Sequence, residues 1–235
     1  MPFMGFDDDG RHFRALPLFA RRLGQDLVVP SQRGRMLDAI AIVVAEKGYS
    51  ATSVADVVRA AGVSRKTFYE HFADKRDCYL IAYQLATDVL IERITKAVMG
   101  VEDQGERIER MLSAYLEGLA EAPIAARAFL VEVQGADKAA QERRIAILDQ
   151  FATAIPAPDD APADETSLLL RTALVAGVEE IVTRHIRAGK ATQLSQLKLP
   201  LLELAARILA PSALGVGLTL DSDRATPTAA VSSAT

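Results

Sequence analysis

Apolar residues recur every three to four positions along most of this chain, which is the spacing of one face of an α-helix. The pattern is clear from Ser31 to Lys47, and Gly48 then stands where a helix C-cap belongs. No segment shows a convincing alternation of apolar and polar residues over the length of a strand. We therefore predict an all-α fold.

Two short helices are predicted next. Ser53 and Asp56 form a capping pair, in which a side-chain oxygen at the N-cap is followed three residues later by a carboxylate. Ser64 caps the following helix, where Phe68 and Phe72 share one face at a spacing of i, i+4. Both phenylalanines are predicted to lie in the core.

Longer helices are predicted after residue 73. Asp74 and Asp77 repeat the capping pattern and open a helix that runs to about Met99. Further helices are predicted over residues 106–120, 124–133, 138–154, 165–188 and 194–209. The predicted organisation is a partly disordered N-terminal extension (1–30), a helix-turn-helix domain (31–77), a larger helical domain (78–210) and a disordered tail (211–235).

The helix-turn-helix prediction rests on the turn between the second and third helices. Gly62 in this turn can adopt the left-handed backbone that lets the chain reverse, and Ser64 leaves the N–H groups of the third helix directed toward a phosphate. With Phe68 and Phe72 facing inward, the open faces of that helix carry Arg65, Lys66, Thr67, Tyr69 and His71. Cations, hydroxyls and a titratable ring on two turns of helix suit the major groove of DNA.

Charge modifies this picture locally. The 235-residue chain has a net charge of -4, which taken alone argues against a nucleic-acid binder. Residues 1–30 are balanced, residues 31–77 carry a net charge of +2, and residues 78–235 carry -6. The basic excess therefore coincides with the predicted helix-turn-helix.

Other functions find little support in the residue types. A single cysteine, Cys78, excludes an intramolecular disulfide and a cysteine-based zinc site, and the three histidines lie in different segments, so we predict no metal and no cofactor. The chain has no Gly-rich phosphate loop and no nucleophile elbow, and the pairs Asp159–Asp160 and Glu179–Glu180 are interpreted as solvated charge. We predict that the protein is not an enzyme. With neither a secretory signal nor a membrane span in the sequence, a cytoplasmic location is expected.

The segment Gly48–Lys75 resembles the DNA-binding domain of TetR-family transcriptional regulators, and the resemblance covers about residues 33–80. It rests on the core G-V-S-x-x-T-[LF]-Y-x-H-F with a following D-K. The resemblance implies a homodimer that binds double-stranded operator DNA. It further implies phosphate contacts from Thr52, Ser53 and Lys75, base-edge or backbone contacts from Arg65, Lys66 and Thr67, and sugar-phosphate packing by Tyr69 and His71. Many family members have Gly where this chain has Lys66. In a complex with DNA, the longer lysine side chain is expected to reach a guanine or a phosphate.

The resemblance also implies a small-molecule effector, of unknown identity, that binds in the larger helical domain. Candidate ligand residues are aromatic or polar side chains on otherwise apolar faces: Tyr83, Thr87, Met111, Tyr115, Phe129 and Glu132. Glu132 stands in an apolar run, so it either faces a cavity or lies on the surface of its helix. The last two helices are expected to form the dimer through Leu174, Val178, Ile181, Val182, Leu197, Leu201, Leu204 and Ile208.

These expectations describe a repressor whose operator binding is relieved by its effector. An activator, or a regulator without a ligand, is an alternative within the same class. An alternative from another class is an all-helical ligand-binding protein or enzyme whose helix-turn-helix does not bind DNA. The two classes differ in whether the pure protein binds promoter DNA with a steep dependence on salt.

Overall fold

The computed structural model describes residues 4–6, 12–14, 31–156 and 165–209. Two three-residue strands, β1 (Met4–Phe6) and β2 (His12–Arg14), pair in an antiparallel ribbon. The sequence pattern did not predict this ribbon, because three residues are too few for alternation to be recognised. The rest of the predicted N-terminal extension and the predicted tail lie outside the described residues.

From residue 32 onward the described chain is helical, which confirms the all-α prediction. The helices are α1 (Gln32–Lys47), α2 (Val54–Ala61), α3 (Arg65–His71), α4 (Lys75–Ala97), α5 (Gln104–Glu121), α6 (Pro123–Ala126), α7 (Lys138–Ala154), α8 (Glu165–Arg187) and α9 (Lys198–Leu209). None of the helices in this described part is long and apolar enough to cross a membrane.

Two predicted α-helical segments contain other helical forms. Between α6 and α7 the chain forms a π-helical turn, Arg127–Val131, followed by a 3-10 turn, Glu132–Gly135. A further 3-10 segment, Ala191–Leu197, leads directly into α9. Elsewhere the predicted helix ends agree with the structure to within two residues.

The predicted helix caps form as hydrogen bonds. At α2, the Asp56 backbone N–H donates to Ser53 Oγ (3.3 Å) and the Ser53 backbone N–H donates to Asp56 Oδ2 (2.9 Å), which completes a capping box. At α3, the Thr67 N–H donates to Ser64 Oγ (3.0 Å). Asp74 caps α4 in the same way. Each cap satisfies a backbone donor that the first turn of a helix leaves without an intrahelical partner.

One buried cluster joins the helix-turn-helix to the larger helical region. Phe68 and Phe72, both predicted core residues, are buried in it, together with Tyr79 of α4 and Phe129 of the π-helical turn. The Tyr79 hydroxyl donates to the Ala128 carbonyl oxygen (2.8 Å) inside this cluster. The core therefore continues from α3 through α4 into the π-helical turn.

Hydrogen bonds over long sequence separations hold α1 against the region that follows α6. Arg127 Nε donates to the carbonyl oxygen of Ala45 in α1 (2.9 Å). The Tyr49 hydroxyl, just after α1, donates to Asp137 Oδ2 (2.9 Å) at the start of α7. The orientation of the helix-turn-helix is thus coupled to the π-helical turn and to α7.

Candidate DNA interface and ligand cavities

The turn between α2 and α3 has the geometry that the sequence predicted. Gly62 ends α2 in the left-handed region, with φ 64° and ψ 39°. The Val63 N–H donates back to the Val58 carbonyl oxygen (3.1 Å), so the chain reverses within two residues of the end of α2. Ser64 then caps α3, whose inner face is anchored by the fully buried ring of Phe68.

The outer face of α3 is a polar and cationic surface. Its members, Ser64, Arg65, Lys66, Thr67, Tyr69 and His71, are exposed, apart from the half-buried Thr67; we call this set the α3 surface. The Tyr69 ring meets the ring of Phe68 edge-on at 5.4 Å between centroids, so the core holds the base of the exposed tyrosine. The structure therefore brings six of the nine predicted DNA-contacting residues together on one short helix and its cap.

The cations of the α3 surface are not engaged by strong internal partners. Lys66 Nζ lies 3.9 Å from Glu70 Oε1, one turn further along α3, and the Lys66 side chain is 88% exposed. An exposed pair of this kind contributes only about 0.3–0.5 kcal/mol, so a phosphate or a base edge can replace Glu70 at little cost.

Two residues with predicted phosphate contacts, Thr52 and Lys75, make hydrogen bonds within the protein, and their phosphate contacts stay predictions. Thr52 is buried, and its hydroxyl donates to the Gly48 carbonyl oxygen (2.8 Å). Lys75 donates from Nζ to the Tyr49 carbonyl oxygen (2.8 Å), and its ammonium lies 4.2 Å from the centre of the Tyr49 ring. Burial of this ammonium lowers the pKa of Lys75. Ser53 remains exposed at the start of α2, with its hydroxyl donated to Asp56 Oδ2.

The larger helical region contains a cavity of about 140 Å³, which we call the α8 cavity because Leu174, Val175, Val178 and Glu179 of α8 form one wall. Four predicted ligand residues line it: Tyr83, Thr87, Met111 and Tyr115. The rest of the lining comes from α4, α5, α7, α9 and Leu130, and it consists mostly of aliphatic and aromatic side chains. An engineered cavity of about 150 Å³ with a similar apolar lining binds benzene, so this space suits a ligand about the size of one ring.

Arg144 of α7 and Glu179 of α8 also line this cavity, and neither residue was predicted to do so from the sequence. Arg144 Nε donates to Glu179 Oε1 (2.8 Å), and Arg144 Nη2 donates to Glu179 Oε2, which makes the pair bidentate. The interpretation of Glu179 as solvated charge is therefore wrong. The available signal was helical spacing, because Glu179 shares its face of α8 with the apolar residues Val175 and Val182.

The two cavity tyrosines are held protonated. Burial raises the pKa of Tyr83 and of Tyr115, and the negative charge of Glu179 raises both further. Neither phenol hydroxyl, nor the Thr87 hydroxyl, makes a hydrogen bond with any other described residue. Three neutral hydroxyl groups therefore line a mostly apolar space.

A second cavity, of about 230 Å³, lies beside the first. We call it the α6 cavity, because it is lined by Pro123–Ala126 together with parts of α4 and α5. Both cavities are lined by Tyr83, Thr87, Leu90 and Leu130, so these side chains form the shared wall. Phe129, a predicted ligand residue, lines the α6 cavity and stacks on the Tyr83 ring with 5.3 Å between centroids.

Glu132 faces neither cavity. Its Oε1 pairs with Arg127 Nη2 at 3.0 Å, and its Oε2 lies close to Gly48 of the turn after α1. Its predicted role as a ligand residue therefore stays a prediction that neither of these two cavities supports. Its carboxylate instead compensates the charge of an arginine that contacts α1.

Most of the side chains that were predicted to form the dimer interface pack instead against other helices of the same chain. Leu174, Val182 and Leu201 are buried in the core that α8 and α9 form with α5, so they do not provide a free surface. The apolar side chains that α8 and α9 leave exposed are different ones: Leu168, Leu169, Leu170 and Leu199.

Comparison with known proteins supports the helix-turn-helix assignment. The family model described as "Bacterial regulatory proteins, tetR family" matches residues 36–80, from α1 into α4. The chain is 29% identical over 101 residues to the HTH-type transcriptional activator FasR of Mycolicibacterium smegmatis, covering 43% of this chain and 46% of FasR. It is 31% identical over 91 residues to the HTH-type transcriptional repressor KstR2 of Mycobacterium tuberculosis, covering 39% and 46%. The matches span just under half the length of these relatives.

Solved structures extend the likeness to the whole fold. The fatty acid degradation regulator FadR from Bacillus halodurans superposes with a TM-score of 0.61 at 19% identity, over 78% of this chain and 97% of FadR. The transcriptional regulator FadR from Bacillus subtilis, solved in complex with stearoyl-CoA, gives a TM-score of 0.62 at 21% identity, over 75% and 97%. At these identities the likeness concerns the fold alone.

Proposed function

Because this chain belongs to the tetR family of bacterial regulatory proteins, we propose that it is a transcriptional regulator that binds double-stranded operator DNA through the α3 surface. The observation that carries the proposal is the division of α3 into two faces. Phe68 is fully buried, whereas Arg65, Lys66 and Tyr69 are exposed on the opposite side. A recognition helix needs this arrangement, since its inner face must fix it while its outer face enters the groove. Because its proposed target is bacterial chromosomal DNA, we place its action in the cytoplasm.

The test is DNA binding by the pure protein, with Lys66 as the probe. Fluorescence anisotropy with the DNA upstream of its own gene should show an affinity that falls steeply as salt rises, because bound cations displace counterions from phosphates. If Lys66 contacts a phosphate, Lys66→Ala should weaken binding to all sequences and reduce the salt slope by about 1. If Lys66 contacts a guanine, the variant should lose about 1–3 kcal/mol at the correct sequence only.

Lys138 provides a matched control for this variant. Its side chain is 90% exposed, and it pairs with Glu142 at a spacing of i, i+4 and a distance of 3.3 Å, as Lys66 pairs with Glu70. Lys138→Ala therefore removes the same charge from a similar exposed helical position far from α3 in sequence. Equal effects of the two variants on DNA binding, or no binding by the unmodified protein, would contradict the proposed interface.

We further propose a homodimer formed by the exposed faces of α8 and α9. Leu169, Ala173 and Ala176 lie on one exposed stripe of α8, and Leu199 is 77% exposed on α9. Water-exposed leucines beside small residues let a second copy approach closely and bury them in an isologous interface. Such a dimer would present two α3 helices to the half-sites of a palindromic operator.

Sedimentation equilibrium tests the dimer. Leu199→Asp should shift the protein toward monomer, because a charge would be buried in the interface without a partner. Met99, which is 73% exposed in the loop after α4, provides the control, and Met99→Asp should leave the association unchanged. A dimer that is equally stable in both variants would place the interface elsewhere.

Regulation is proposed to act by relief of repression. Leu130 of the π-helical turn lines both cavities, and Arg127 of the same turn donates to Ala45 in α1. A ligand that displaces this turn would therefore shift α1 and with it the helix-turn-helix. A ligand that binds more tightly to the conformation that does not fit DNA weakens DNA binding. The factor is the ratio of the ligand's affinities for the two conformations, commonly about 5- to 150-fold.

The sign of regulation can be measured with a promoter-reporter fusion in a strain that lacks the gene. Higher reporter output without the protein supports a repressor, and lower output would identify an activator. Arg127→Met in the complemented strain should retain DNA binding but reduce the response to an inducing extract, because the link to α1 is cut. Full induction in this variant would exclude the π-helical turn as the coupling element.

A further inference from the structure

The side chains that line the α8 cavity restrict the charge and polarity of the ligand that can bind there. This inference rests on the proposed function only in that it takes the cavity to be a ligand-binding site. Its ionisable side chains of opposite charge, Arg144 and Glu179, neutralise each other through a bidentate pair. An anionic ligand would have to compete with Glu179 for Arg144 and would bring an uncompensated charge into an apolar space. A cationic ligand would meet the same difficulty with Arg144. Either exchange costs desolvation energy that an uncharged ligand avoids.

The cavity nevertheless has polar groups that are available to a ligand. The hydroxyls of Tyr83, Thr87 and Tyr115 make no hydrogen bond with another described residue, and both Tyr83 and Thr87 are buried. Hydroxyls that line a cavity without a partner in the protein are available to bind a polar atom of a ligand. Tyr83 and Thr87 lie one turn apart on the same face of α4, and Tyr115 lines the same cavity from α5.

We propose that the α8 cavity binds an uncharged, apolar molecule of about one-ring size that carries a hydroxyl or carbonyl oxygen, and that the hydroxyls of Tyr83, Thr87 and Tyr115 bind this oxygen. The protonated phenols donate to it, and the threonine hydroxyl can donate or accept. The apolar wall from α5, α7, α8 and α9 surrounds the rest of the ligand. Specificity follows from the hydroxyls, because an analogue without the oxygen leaves them unpaired.

Three probes of similar size separate the contributions of charge and hydrogen bonding. Benzyl alcohol has the proposed oxygen, toluene lacks it, and benzoate replaces it with a carboxylate. Isothermal titration calorimetry on the full chain without DNA should show benzyl alcohol binding most tightly, toluene more weakly, and benzoate not at all. Because DNA is absent, this result is independent of whether the protein binds an operator.

Variants that remove single hydroxyls test the assigned residues. Tyr115→Phe and Thr87→Val keep the shape of the side chain, and each should weaken benzyl alcohol binding by about 2- to 10-fold while leaving toluene binding unchanged or tighter. Thr153→Val is the matched control, because Thr153 is exposed on α7 with its hydroxyl on the Asp149 carbonyl oxygen. It should bind all three probes as the unmodified protein does.

Three outcomes would overturn this assignment. Tighter binding of benzoate than of benzyl alcohol would show that the cavity selects an anion. Equal affinities for toluene and benzyl alcohol, unchanged in Tyr115→Phe, would show that the hydroxyls do not bind the ligand. Failure of all three probes to bind would show that the α8 cavity is not a site for such molecules. The proposal that the protein binds DNA would not be affected, because it is tested by a separate measurement.

Discussion

The Arg144–Glu179 pair allows a quantitative test of how the larger helical region is held together. It joins α7 to α8 across 35 positions of sequence and lies at the wall of the α8 cavity. The Glu179 side chain is 8% exposed and that of Arg144 is 22% exposed, so solvent screens neither charge strongly. Removal of one partner from a buried pair costs about 3–5 kcal/mol, because the other charge is left buried and uncompensated.

The difference in exposure predicts an asymmetry between the two single variants. Arg144→Met leaves the more deeply buried carboxylate without a partner, so we expect a cost near 4 kcal/mol, within the range of about 3–5 kcal/mol. Glu179→Leu leaves the more exposed guanidinium, which can be partly hydrated, and we expect about 1–3 kcal/mol. The double variant Arg144→Met, Glu179→Leu leaves no buried charge and should recover most of the loss.

Urea unfolding at fixed protein concentration measures these values. With a slope of about 2 kcal/mol per molar urea, a loss of about 4 kcal/mol lowers the midpoint by about 2 M. A constant slope among the variants shows that only stability has changed. If the double variant loses as much as the two single variants together, the two charges are not coupled and the reasoning is wrong.

Three further predictions concern the helix-turn-helix and its support. Tyr79→Phe leaves the buried Ala128 carbonyl without its donor and should cost about 1–3 kcal/mol in urea unfolding; an unchanged midpoint would show that this bond is replaced. Gly62→Ala places a Cβ at φ 64° and should cost about 1–2 kcal/mol and weaken DNA binding; unaltered values of both would mean that the turn can relax. Cys78 is buried and burial raises the pKa of its thiol, so a disulfide reagent at pH 8 should label it only after unfolding; rapid labelling of the folded protein would contradict this burial.

Local features of the site were predictable because they depend on residues three or four positions apart. The caps at Ser53 and Ser64, the left-handed Gly62 and the inward faces of Phe68 and Phe72 all appear where the pattern indicated. Such features form from backbone N–H groups and helical spacing within one or two turns. These features also predict which residues form the α3 surface. Because Phe68 and Phe72 occupy the inward face, the other side chains of α3 must face outward.

The contacts of Lys75 and Glu132 were not predictable from the spacing of residues along one helix. Lys75 is the first residue of α4, a position that suits a phosphate contact, but its ammonium donates to the Tyr49 carbonyl oxygen, 26 positions earlier. Glu132 pairs with Arg127 and lines neither cavity, because a π-helical turn precedes it where the pattern indicated a regular helix. A π-helical turn changes the direction of each following side chain, and apolar spacing does not reveal it.

The sequence by itself determined the all-α fold, most helix ends and a capped third helix with an exposed polar face, because these depend on contacts within one or two helical turns. The tertiary structure alone decided that Arg144 neutralises Glu179, that three hydroxyls line one cavity, and that Leu174 and Leu201 belong to the chain's own core. These outcomes depend on which faces of separate helices meet. Helix crossing is set by the packing of whole surfaces, which no short stretch of sequence encodes.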